Sequence, residues 1–125
     1  MGDKKLPGIA AEDIGKCAFG VFRRGEQLVG KSVGIAGEHL SGAQMAAQLG
    51  EALGEPVGHV AMPPEQYRAL GFPGADDLGN MFQFKRDFEQ AYCASRSVDV
   101  ARDLNPELMT FRAWLAKYKS RLPIQ

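Results

Sequence analysis

One helix in this chain has both ends written into the sequence, and the rest must be arranged around it. Ser41-Gly42-Ala43-Gln44 is a capping box, in which the serine hydroxyl serves the amide three residues on and the glutamine side chain returns to the serine amide. Leu40 and Met45 hold the positions of the hydrophobic staple that accompanies such a box. Met45, Leu49 and Leu53 carry the apolar face, Gly54 stops the helix, and Pro56 prevents its return.

A second helix is predicted over Glu12 to Arg24. Ile14, Cys17, Ala18, Val21 and Phe22 fall at helical spacing and predict one buried stripe. Arg23 and Arg24 suit the negative end of the helix dipole, and Gly25 supplies a left-handed stop. Three short strands are expected: Leu6 to Ala10, Lys31 to Gly37 with Val33 and Ile35 on one face, and Val57 to Met62. Pro63-Pro64 opens a short helix through Leu70, with proline tolerated in the first turn. Residues 71–74 form a tight loop, and Asp76 and Asp77 then begin a longer, unusually aromatic helix through Tyr92. Ser95 to Asn105 has no clear period. Asn105-Pro106 is a turn, and Phe111, Trp114, Leu115, Tyr118 and Leu122 mark a last amphipathic helix behind a Thr110 cap. This order predicts an α/β (α+β) fold, with a small few-stranded sheet and about five helices in one domain spanning residues 1–125.

Composition excludes several classes. The chain is 45% hydrophobic and 24% charged, which suits a folded core rather than disorder. Lys+Arg and Asp+Glu each total 15, so no net field draws it to nucleic acid or a membrane. Neither a leader peptide nor a membrane span is expected, because no long apolar run occurs. Cys17 and Cys93 make no disulfide framework and are expected as reduced thiols in a cytoplasmic protein.

Residues 25–32, from Gly25 to Gly30-Lys31-Ser32, match the phosphate-binding pattern GxxxxGK[ST] at every fixed position. In a nucleoside-triphosphate hydrolase Lys31 would reach the terminal phosphates and Ser32 would hold magnesium. That chemistry needs a strand before the loop and a helix starting at the lysine. Here a helix precedes Gly25, and two glycines in Val33-Gly34-Ile35-Ala36-Gly37 are poor for a helix. The segment therefore reads as a helix stop, a turn and a strand start.

Other chemistry is thin. No two glycines are separated by a single residue, so the dinucleotide fingerprint is absent. Tyr67, Tyr92 and Tyr118 are followed four places on by Gly71, Arg96 and Leu122, so the Tyr-x-x-x-Lys pair is absent too. His39 and His59 lack ligand-spaced partners and read as loop or pocket-wall residues. Asp76-Asp77 read as first-turn acids. Lys117, Lys119 and Arg121 read as a solvated helix end. Phe84 lies about half a turn off the Leu78, Met81, Phe82 and Phe88 stripe, since each residue advances about 100°. That second apolar face suits either a ligand pocket or another domain.

The segments Glu65-Gln66-Tyr67, Leu70-Gly71-Phe72-Pro73-Gly74-Ala75 and Asn80-Met81-Phe82-Gln83-Phe84 resemble the C-terminal part of NmrA-like proteins. Ala11-Glu12-Asp13-Ile14-Gly15, Val29-Gly30 with Gly34-Ile35-Ala36, Leu104-Asn105-Pro106 and Trp114-Leu115 extend the resemblance over nearly the whole chain. Pro63 departs from it, standing where family members can carry a capping Thr or Ser. The resemblance implies an atypical short-chain-dehydrogenase relative whose Rossmann half binds NADP(H), acting as a redox sensor, regulator or reductase-like protein. This chain would be the substrate-side lobe without that half, holding no cofactor and no catalytic residue by itself. It would be either a fragment or a naturally shortened form. Phe72, Gly74, Met81, Phe82 and Phe84 would then wall a small apolar cleft. The alternative is a non-enzymatic interaction module that self-associates or pairs with a Rossmann-type chain, since uncovered apolar surface seeks partners. No membrane and no direct nucleic-acid contact is expected, and a regulatory protein partner is implied.

Overall fold

A computed structural model describes residues 1–123. β1 (Lys5–Gly8) leads into α1 (Ala11–Arg24), which ends in a 3-10 turn at Gly25–Leu28. β2 (Glu38–Ser41) runs directly into α2 (Gly42–Leu53). Then follow α3 (Pro64–Arg68), α4 (Ala75–Asp87), α5 (Glu89–Ala94), α6 (Val98–Leu104) and α7 (Phe111–Tyr118). Among the described residues the fold is α+β, with seven α-helices on a two-stranded antiparallel sheet.

The sheet pairs Leu6 with Leu40 and Gly8 with Glu38. Both strands are edges, and the outer edge of β1 is covered in part by α5. The Lys5 amide donates to Glu89 Oε1 at 2.6 Å, and Lys4 pairs with the same carboxylate. Capping edge groups with a helix in this way leaves less backbone open to a stray strand.

The capping box of α2 is present in both directions, Gln44 N–H to Ser41 Oγ at 3.2 Å and Ser41 N–H to Gln44 Oε1 at 2.9 Å. Gly54 terminates the helix in the left-handed region. Thr110 caps α7 through the Ala113 amide, and Pro63 stands at the start of α3 with no side-chain cap.

Several expected elements are corrected. Lys31 to Gly37 is not a strand: it makes a single parallel bridge, Ile35 to Ser97. Gly34 is pressed so closely on the Ser95 carbonyl that a Cβ would sit 1.7 Å from it, which packs the segment on the chain before α6 instead of in a sheet. Val57 to Met62 is irregular and mostly exposed, with Val60 at 84%, because no neighbouring strand offers it a ladder. The long aromatic helix is two helices, broken at Phe88, whose φ of −114° and ψ of 31° leave the helical region. The break turns α5 onto β1, where Glu89 is held and the Cys93 thiol faces the Lys5 carbonyl. The segment without a clear period contains α6, capped by the Ser97 hydroxyl on the Val100 amide.

The buried stripe of α1 also differs from expectation. Cys17 and Val21 do pack inward, against Ala101, Leu104 and Leu108. They are joined on that face by Asp13 and Gly20, both buried. Ile14 is 49% exposed and Phe22 82%, and Phe19 beside them is 64% exposed. The inward face was chosen by close approach and by a buried carboxylate, neither of which adds to an apolar count. Gly20 lies so near α6 that a Cβ would be 2.3 Å from the Leu104 carbonyl oxygen.

Candidate functional site

Asp13 is wholly buried, and each of its carboxylate oxygens accepts a hydrogen bond. It accepts from Asn105 Nδ2 at 3.1 Å and from the Met109 amide at 2.9 Å. Asn105 in turn accepts from the Glu107 amide. This carboxylate ties the first turn of α1 to the turn before α7, and so fixes residues 105–110 against β1 and β2. Sequence reading placed Asp13 only within a resemblance. Its one local signal was an acid in a first helical turn, which is usually exposed.

A cavity of about 340 Å³ opens beside this lock. Its walls come from the β1–α1 loop, β2, the first turns of α2 and α7, and the chain before α7. Leu6, Leu40, Met45, Met109, Phe111 and Trp114 supply its apolar side chains. The staple pair of α2, Leu40 and Met45, thus has a second role as cavity wall. The Phe111 and Trp114 rings lie 6.2 Å apart with planes within 11°. The carboxylate of Glu38 accepts from the Phe111 amide at 2.8 Å, and α7 is anchored further by Tyr118 on Glu12 at 2.6 Å and by the Arg112–Glu51 ion pair. The Tyr118 hydroxyl, and then Lys117, hold the Glu12 carboxyl below the usual carboxylate range.

The five residues expected to wall a cleft do not form one surface, and none lines this cavity. Phe72 and Phe82 meet edge-on around Tyr67, at 5.7 and 5.8 Å. Gly74, with φ of 90°, stands directly before α4 in a conformation that favours glycine. Met81 is half-buried. Phe84 turns the other way, to Phe88 at 4.9 Å and Tyr92 at 6.5 Å, and more than half of it is exposed. Phe84 thus leaves the side of Phe82, as its spacing predicts, but it joins Phe88, which the spacing placed with Leu78, Met81 and Phe82, because α4 ends at Asp87 and the chain turns there.

The remaining motifs resolve simply. Gly25 caps α1 with φ of 59°, and Gly30 turns with φ of 73°. Lys31 and Ser32 are exposed with no helix beginning at them, so the phosphate pattern lacks the amides it requires. His39 donates through Nε2 to the Arg96 carbonyl at 2.7 Å, and His59 lies against Gly42. Cys17 and Cys93 are free thiols, and burial raises both above the usual thiol range. Among the described residues no cluster of His, Cys, Asp and Glu could hold a metal, and no helix is long and apolar enough to cross a membrane.

The geometry is that of a small α+β unit with an apolar cavity and no acid–base pair at it. A model of the NmrA-like family matches residues 1–115, and the chain belongs to that family. Membership points to NAD(P)-linked, short-chain-dehydrogenase-like chemistry. The residues present do not fit a dinucleotide. A pyrophosphate needs a glycine-rich turn from a parallel strand into an open helix N-terminus. The sheet described here is antiparallel, and the α2 N-terminus is closed by its own capping box. The first turns of α1 and α4 carry acids, Glu12 with Asp13 and Asp76 with Asp77, which repel phosphate.

Proposed function

We propose that this chain acts as the substrate-side lobe of an NAD(P)-linked NmrA-like redox sensor or reductase-like protein, with the dinucleotide held by a separate Rossmann-type unit. The outward face of α1 carries this reading. Ile14, Phe19 and Phe22 stand exposed along one helix, with Gly15 and Ala18 between them leaving room for close approach. A contiguous apolar patch of this kind on a folded unit marks a contact surface. Its occupant in this reading is the dinucleotide-binding unit that the family implies and whose cradle these residues lack. Phe72, Gly74, Met81, Phe82 and Phe84 enter this reading as cleft wall on two sides, Phe72 and Phe82 around Tyr67 and Phe84 beside Phe88, and a cytoplasmic location is part of the same proposal.

The test is calorimetry of the chain against a purified Rossmann half from a full-length family member, with and without NADPH. Binding that is lost in Phe22→Glu while circular dichroism stays unchanged supports the reading. Micromolar binding of NADPH by this chain alone would overturn it. Concentration-dependent self-association through the same face, without binding to the Rossmann half, would instead favour the interaction-module alternative.

A further inference from the structure

We propose that the 340 Å³ cavity between the sheet and α7 is a binding site for an uncharged, flat aromatic molecule of one or two fused rings. The volume sits at the small end of the range for ligand pockets. Phe111 and Trp114 offer nearly parallel rings, to which an aromatic face adds by offset stacking. Met45 and Met109 stand in the same lining, and thioether side chains adapt their shape to an aromatic edge.

Charge decides the class of ligand. Among the described residues no Lys, Arg or His lines the cavity, and Glu38 is the one acidic side chain there. A carboxylate or phosphate would be desolvated there beside a like charge, with no cation to receive it. Several polar groups of the walls are bonded within the chain, and the Trp114 indole N–H is a donor, which adds no place for an anion's charge to be neutralised. Glu38 accepts from the Phe111 amide, the Thr110 hydroxyl accepts from the Ala113 amide at 3.1 Å, and the Gly37 amide donates to the Gly8 carbonyl at 2.7 Å. The ligand is therefore held by contact and stacking. Every wall belongs to this chain, so the site goes beyond the docking of a dinucleotide-binding unit and does not depend on it.

The chain has five methionines, two of them in the cavity wall, so carbon-13 labelling of the methionine methyl groups reads the site directly. Indole is the neutral probe and indole-3-acetate its anionic counterpart. Indole is expected to move the Met45 and Met109 signals saturably and to leave Met62 and Met81 in place. Indole-3-acetate is expected to bind at least about tenfold more weakly. Met45→Glu at the half-open rim is expected to abolish the Met109 response to indole. Ala11→Glu, an exposed first-turn position where an acid suits the helix, gives a second variant expected to weaken it. Equal affinity for the two probes, no saturable movement, equal movement of Met62 and Met81, or an unaltered response in both variants would overturn the proposal. So would methyl signals that move with protein concentration alone, which would assign the groove to a second copy of the chain.

Discussion

The two faces of α1 are made from opposite materials for where they lie. The inward face carries an aspartate, a cysteine and a glycine beside one valine, and the outward face carries isoleucine and two phenylalanines. Burial on the inward side is set by fit: a carboxylate with a hydrogen bond to each oxygen, and a glycine that lets two backbones touch. The outward side has the stronger apolar pattern, and it stays largely exposed, with the Arg23 guanidinium over the Phe19 ring at 5.9 Å. A hydrophobic stripe on a helix therefore reports a surface that needs cover, and the cover need not come from the same folding unit.

The comparison breaks most readily at Asp13. Asp13→Ala removes the acceptor of one buried and one half-buried donor and is expected to cost about 3 kcal/mol in urea-induced unfolding. Asp13→Asn should recover only part of that, because the amide must point a donor at a donor. An unchanged midpoint would mean the inward face is held elsewhere. Gly20→Ala is expected next, at about 1–2 kcal/mol lost, since overpacking against the Leu104 backbone outweighs the roughly 1 kcal/mol gained in helix propensity. On the outward face, Phe22→Glu is expected to change the stability of the chain alone by no more than about 0.5 kcal/mol. A large loss there would show that Phe22 contributes to this chain's own core. The smallest effect is chemical. Burial raises both thiols, but Cys93 is half-buried and Cys17 is in the core, so alkylation near neutral pH is expected to reach Cys93 first. Cys17 should react only as α1 and α6 part, and labelling of Cys17 ahead of Cys93 would show that face to be loose.

A similar contrast separates the two aromatic regions. The α4–α5 cluster of Phe84, Phe88 and Tyr92 is conspicuous in the sequence, yet it lies open on the surface. The cavity is built instead from residues that are far apart in the chain, Leu6, Leu40, Met45, Met109, Phe111 and Trp114. Leu40 and Met45 were legible as a staple, and Phe111 and Trp114 as a helix face. Their meeting was not legible, because it depends on the Asp13 lock and on Glu38 reaching the Phe111 amide, contacts spanning 92, 96 and 73 residues.

Local chemistry was enough for the helix ends: Ser41 with Gln44, Thr110, Gly25 and Gly54 all act within one turn, where side chain and backbone meet whatever the rest of the chain does. Family membership was legible as well, because it is carried by runs of residues. Tertiary packing alone decided which face of α1 turned inward, that Lys31 to Gly37 and Val57 to Met62 had no sheet to join, and that an aromatic helix broke at Phe88. Strand pairing and burial are relations between distant segments, so no single stretch of chain holds the information that selects them.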